Sequence, residues 1–226
     1  MEEVKRAAFQ AALSTNPWNT FLLWLREHRN AHTVTEANTK NQRVGEAFEH
    51  LCVLYLRMRY PAAWRLPDLP VDIREQLGLA KMDRGVDIVL QLGSNGYVPV
   101  QCKYRADQKP LAWSSITTFT SLTDVKGTTG PWARRLVMTN VKNIKWHGNQ
   151  PSDVSTIAEG TWAGLTKDDW LRLGGADPNT APKLGQQIIT IVPSSAITPG
   201  LILVNPVPTT VEELRAARLK ALDKLK

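Results

Sequence analysis

The feature that most constrains this chain is a pair of short apolar runs, residues 86–90 (Val-Asp-Ile-Val-Leu) and 97–104 (Tyr-Val-Pro-Val-Gln-Cys-Lys-Tyr), linked through Gly93-Ser94-Asn95-Gly96. β-Branched and aromatic residues bounded by a Gly/Asn turn predict two strands of an antiparallel hairpin. Each run carries polar side chains that an apolar strand does not need: Asp87 in the first, Gln101 and Lys103 in the second. Side chains alternate across a strand, so Asp87 is expected to point away from Val86, Ile88 and Leu90, and Gln101 and Lys103 to lie opposite Val100 and Cys102. In a hairpin the three polar groups can gather on one face at one edge of the sheet, in a register that turn and pattern alone leave open.

The flanks build a mixed α/β chain. Residues 2–14 read as a helix, and a second begins after Asn16-Pro17 with Trp18, Phe21, Leu22 and Leu25 near helical spacing. Residues 29–42 are polar and read as a connection. From 44 to 60, Val44, Phe48, Leu51, Tyr55 and Met58 recur every three or four positions, one face of an amphipathic helix stopped by Pro61. A short strand over 64–66 followed by Pro-rich loop comes next, and after the hairpin a helix over 113–122 and a strand over 135–139. Beyond Asn140 the expected elements are a short helix N-capped by Thr166 with Asp169 three residues on, strands at 188–192 and 201–204, and a helix over 211–225. The order helix, strand, hairpin, helix, strand implies a mixed sheet with helices on its faces.

With 226 residues, 42% apolar and 22% charged, the chain suits one substantial soluble domain. The N-terminus lacks the apolar core of a signal peptide, and no apolar run approaches the roughly 18 residues needed to cross a bilayer. Cys52 and Cys102, the two cysteines, belong to no metal-like cluster, and a cytoplasmic setting with reduced thiols is expected. A formal charge of +7 suits a polyanionic partner, since Lys and Arg neutralise phosphates.

An acid, a polar acceptor and a lysine held together suit phosphodiester hydrolysis. Magnesium takes hard oxygen ligands, typically one or two carboxylates with water and substrate phosphate completing the shell. Asp87 supplies a carboxylate, Gln101 an amide oxygen and Cys102 a backbone carbonyl. Lys103 is placed to orient or deprotonate the attacking water, or to offset charge developing on the phosphate.

Four stretches carry a resemblance: Gly45-Glu46-Ala47-Phe48-Glu49, Arg84-Gly85-Val86-Asp87, Gln101-Cys102-Lys103 and Leu136-Val137-Met138-Thr139-Asn140. Together they resemble the PD-(D/E)xK, or restriction-endonuclease-like, nuclease superfamily, and within it the Mrr-like enzymes, which commonly carry Gln in the last motif. The resemblance spans about 43–141 and implies an αβββαβ core, with extra N- and C-terminal helices, in a single nuclease domain over 1–226. On this division 1–42 is a helical extension, 43–141 the core and 142–226 a C-terminal elaboration that leads to further domains if the protein is longer. It also implies a site of Glu49, Asp87, Gln101 and Lys103, with Glu49, Asp87, Gln101 and the Cys102 carbonyl around Mg²⁺, or Mn²⁺ in its place. Glu46, on a nearby part of the same helical face, is the alternative to Glu49. Two departures stand out: no Pro precedes Asp87 in a Pro-Asp pair, and Gln101 is a weaker ligand than Glu.

The expected partner is double-stranded DNA, with no membrane, and Arg84, Arg105, Lys109, Arg134, Arg135, Lys142 and Lys145 are candidates to track its phosphates. The terminal segments are compatible with a homodimer or with fusion to helicase, methyltransferase or recognition domains. A Holliday-junction resolvase and a catalytically weak DNA-binding module on the same core are the alternatives. His28 and His32, one helical turn apart, read as solvent-facing rather than as zinc ligands, His50 as a helix-surface histidine, and His147 as a loop residue or a DNA contact. Most of the eight tryptophans read as packing residues.

Overall fold

The computed structural model describes residues 1–30, 37–60, 62–80, 85–93, 96–124 and 127–176. Two helices come first: α1 (Glu2–Ala12) and α2 (Pro17–Asn30) precede the long α3 (Ala37–Arg57). The connection expected over 29–42 is shorter than that, because α3 starts at Ala37. Its early turns are polar, with Asn41 and Gln42 exposed, so the apolar stripe that betrays the helix begins only at the buried Val44.

Next come β1 (Ala62–Arg65), a 3₁₀ turn (Leu66–Asp68) and α4 (Val71–Gln76). α4 buries none of its residues, which is why no amphipathic signal marked it out from the expected loop. The hairpin is present: β2 (Ile88–Leu92) pairs antiparallel with β3 (Gly96–Lys103), with Ile88 opposite Val100 and Leu90 opposite Val98. Gly93, at φ +57°, supplies the left-handed residue of the turn.

After β3 follow β4 (Leu111–Ala112), a 3₁₀ turn (Trp113–Ser115) and α5 (Thr117–Leu122). The helix expected over 113–122 is therefore split. Hydroxyls compete with its ladder, Thr117 donating to the Ser114 carbonyl and Thr120 to that of Thr117. β5 (Arg135–Thr139) falls where expected. The chain continues through β6 (Ile144–Lys145), β7 (Val154–Ile157), α6 (Glu159–Ala163) and α7 (Lys167–Leu173). Thr166 and Asp169 form the reciprocal capping box at the start of α7. The strands and helix expected at 188–192, 201–204 and 211–225 lie outside the described residues.

The main sheet has the order β1-β2-β3-β5-β7, antiparallel from β1 to β3 and parallel from β3 to β7. α3, β1, β2, β3, α5 and β5 make the αβββαβ order, and β7 adds a fifth strand. Strand alternation divides the core. Ile88, Leu90, Val100, Cys102, Leu136 and Met138 meet α3 on one face; Val89, Tyr97 and Val137 meet Phe119 of α5 on the other. α1, α2, α6 and α7 close over α3 with buried Trp18, Trp162 and Trp170, the first two stacked at 5.7 Å. Among the described residues no helix is long and apolar enough to cross a membrane.

Candidate active site

Asp87 sits where β2 and β3 part. The alternation expected across 86–88 fails there: β2 begins only at Ile88, and Val86 packs with Val89 on the α5 side rather than with Ile88 and Leu90. The backbone of Asp87 is held from both sides, its N–H donating to the Val100 carbonyl and its carbonyl accepting from Leu66, each at 2.9 Å. Its Oδ2 then accepts the Cys102 N–H at 2.7 Å, so a carboxylate stands where a backbone acceptor would continue the ladder. Gly85 lets the chain approach closely enough for this, since a Cβ there would lie 3.1 Å from the Phe119 Cα.

A cleft of about 890 Å³ opens at this end of the sheet. Glu49, Asp87, Cys102 and Lys103 line it together, with Glu46, Arg65 and Arg105. Gln101 does not. Its side chain is 2% exposed and lies on the Val137 side of the sheet by strand register, while its Oε1 meets no hydrogen-bond partner among the described residues. The expected common face of Asp87, Gln101 and Lys103 is thus corrected: the acid and the lysine reach the cleft at the strand ends, and the amide stays within the sheet.

Of the two helix acids, Glu46 accepts from the Gln42 amide at 2.9 Å, whereas Glu49 faces Asp87. Burial and the Asp87 charge push Glu49 up to about 7, against the pull of Arg65. Asp87 is likewise raised by burial, opposed by the Cys102 N–H and the Lys103 charge. Two desolvated carboxylates that raise one another's cost of ionising favour a bound cation or a proton.

Sequence reasoning missed Arg65. Its Nε donates to Glu49 Oε2 at 3.1 Å and its other arm reaches His50 Nε2 at 2.9 Å. Lying between Trp64 and Leu66 in a short strand, it gave no motif; only the antiparallel pairing of Arg65 with Ile88 brings it beside Asp87. His50, expected on the helix surface, is part-buried, and burial followed by the Arg65 charge lowers it to about 4. It therefore stays neutral and accepts from the guanidinium.

These values fix a pH dependence. The folded value of Glu49 lies above the ordinary glutamate value of 4.5, so the folded state holds that proton more tightly and its contribution to stability falls as pH rises from about 4.5 to about 7. His50 runs the other way, losing stability as pH falls from 6.5 towards 4, so the two offset each other in the unaltered protein. Glu49→Gln is expected to leave stability near pH 5 little changed and to raise it by about 2 kcal/mol at pH 8 without divalent cations. Chemical denaturation of both proteins at a series of pH values checks this; a difference that does not grow across pH 5–7 contradicts it.

Past Lys103 the chain is pinned. Thr139 donates to the Lys103 carbonyl at 2.8 Å, and the buried Asn140 side chain bonds the Arg105 N–H and carbonyl at 2.7 and 2.9 Å, continuing the β3–β5 pairing by one side chain. Arg105 itself pairs with Asp107. Lys109, Lys142 and Lys145 are exposed around the β4–β6 pair, where Trp113 and Trp146 meet at 5.2 Å, and His147 is exposed beside them.

Two expected phosphate contacts do not belong with this group. Arg134 precedes β5, at the opposite end of the parallel strands from Lys103. Arg135 is 7% exposed, its guanidinium forked onto Asp153 at 2.7 and 2.8 Å and donating to the Thr120 carbonyl at 2.9 Å. Its charge is spent inside the fold. Arg135→Ala is expected to cost about 2–3 kcal/mol by leaving Thr120 and Asp153 unpaired, with no change in the salt dependence of DNA binding. Equilibrium unfolding and a salt titration read the two effects separately. Arg84 and His32 lie outside the described residues; His28 stacks on Trp24.

Among the described residues no three His, Cys, Asp or Glu side chains gather as a metal cluster. The donors at the cleft are of another kind: the desolvated carboxylates of Glu49 and Asp87 and the Cys102 backbone carbonyl. This all-oxygen set fits magnesium or manganese and not a thiolate- or imidazole-seeking metal.

No curated protein and no solved structure matches this chain. A family model of Mrr-type catalytic domains, described as restriction endonuclease, matches residues 56–158. That stretch holds Asp87, Gln101 and Lys103 and leaves out α1, α2 and nearly all of α3, Glu49 included. The mixed sheet and this match together identify residues 56–158 as a restriction-endonuclease-like domain of the Mrr-like kind.

Proposed function

We propose that the chain is a metal-dependent endodeoxyribonuclease that hydrolyses phosphodiester bonds of double-stranded DNA. The observation that carries this is the meeting of Glu49, Asp87 and Lys103 in one cleft, with the carboxylates desolvated and mutually repelling. Glu49 and Asp87 would hold Mg²⁺, or Mn²⁺, with the Cys102 carbonyl beside them, while Gln101 stays within the sheet and outside this set. The cation there supplies positive charge to the scissile phosphate and makes water a usable nucleophile near neutral pH.

The protein's own groups do the rest. The Cys102 N–H fixes the direction of the Asp87 carboxylate. Arg65 holds the Glu49 carboxylate through Nε and bonds His50 through its other arm. Lys103 Nζ orients the attacking water or balances charge developing on the phosphate oxygens. Arg105, Lys109, Lys142 and Lys145 position the duplex through its phosphates.

A cytoplasmic setting, Mrr-like restriction specificity and membership of a larger restriction or helicase protein complete this reading. The test compares linear duplex, supercoiled plasmid and four-way junction with Mg²⁺. Cutting of duplex and plasmid is expected. Selective cutting of the junction would favour a resolvase, and binding without cutting under any divalent metal would leave a DNA-binding module.

A further inference from the structure

We propose that Arg29, with Arg26 beside it on α2, binds a DNA phosphate next to the scissile one, so that the N-terminal helices form one wall of the substrate cleft. The inference rests on the nuclease reading above and extends it to a part of the chain outside residues 56–158, the span of the family match.

Three observations converge. First, Arg29 lines the same cleft as Glu49, Asp87 and Lys103, with Asn41 and Gln42 from the start of α3 on the same wall. Secondly, its Nε is buried and meets no hydrogen-bond partner among the described residues. A buried donor of a permanently charged group is costly to leave unpaired, and a planar guanidinium is matched by the oxygens of a phosphate. Thirdly, Arg26 and Arg29 are three residues apart and so share a helix face. That face looks onto Tyr104, the residue after Lys103, whose phenol is raised by burial and drawn back by the charges of Arg26 and Arg29. Tyr104 in turn packs on Phe48, the neighbour of Glu49, at 5.9 Å.

Cations from two separate walls thus face the space in front of Lys103: Arg29 from α2, and Arg105 from the chain leaving β3. Arg29 also stands in the last turn of α2, where a cation complements the helix dipole. That role alone would affect folding and leave DNA binding untouched, and the test separates the two.

The experiment measures binding of a fluorescein-labelled 20-base-pair duplex to the full chain by polarisation, in EDTA, over a series of salt concentrations. Arg29→Ala is expected to weaken binding by roughly five- to tenfold and to reduce the slope of log K against log salt by about one phosphate contact; Arg26→Ala/Arg29→Ala should reduce it by about two. Arg29→Lys should keep most of the slope. Arg29→Gln, which retains the stem, guards against a folding defect, and melting curves accompany every variant. Arg6→Ala, exposed on α1 away from the cleft, should behave as the unaltered protein. Unchanged affinity and slope in folded Arg29→Ala and Arg29→Gln, with the parent binding DNA, would overturn this inference and leave the nuclease reading intact. A parent protein that binds no DNA would sink both.

Discussion

Asp87→Ala is expected to lower DNA cleavage by roughly a thousandfold or more while leaving duplex binding within about threefold of the unaltered protein. Asp87 is held by the fold itself, through backbone bonds to Val100 and Leu66 and the Cys102 N–H on its Oδ2. Removing it takes away a proposed metal ligand and leaves the Cys102 N–H without its acceptor. Asp87→Asn separates these effects, since its amide oxygen can still accept from Cys102 while its charge is gone. The asparagine variant should match the alanine variant in lost cleavage yet fold at least as well as the parent, because burial penalises the carboxylate it replaces. Single-turnover cleavage alongside thermal melting gives both readings. Substantial cutting by Asp87→Asn would place the chemistry elsewhere.

Lys103→Ala is expected to reduce cleavage by roughly a hundred- to a thousandfold with a smaller loss of binding. Lys103 ends β3 beside Thr139, and the Thr139 bond to its carbonyl fixes the backbone from which the side chain reaches the cleft. If its role is in the reaction, the loss appears in the single-turnover rate at saturating protein. If it merely attracts DNA, the loss appears in the dissociation constant and raising the protein concentration restores the rate. Lys103→Arg is a useful companion: it keeps a positive charge that does not titrate near neutrality, so it should recover binding but little of any proton-transfer contribution.

The hairpin and the strand at 135–139 were legible because apolar runs bounded by turn residues have few alternatives, and the helix bearing Glu49 because Val44, Phe48, Leu51 and Tyr55 trace one face. What sequence could not give was long-range placement. Val154–Ile157 reads as polar because Ser155 and Thr156 fill its centre, and only pairing with β5 makes it a strand. Arg65 and Arg29 carry no motif and reach the cleft only after the chain has folded. Gln101 and Asp87 illustrate the limit of alternation. The pattern predicted a shared face, but β2 takes up its regular geometry only after Asp87, at Ile88, which lets the acid turn to the cleft while Gln101 stays in the sheet. Arg135 shows the converse, a cation near the site in sequence whose charge the fold uses up against Asp153.

The most direct test of a metal-dependent cut made by this cleft is strand scission of supercoiled plasmid by the purified chain. It is run with Mg²⁺, with excess EDTA, and with Asp87→Ala purified identically. Nicked and linear DNA is expected in the first sample alone. Equal cutting in EDTA, or by Asp87→Ala with Mg²⁺, would contradict that expectation.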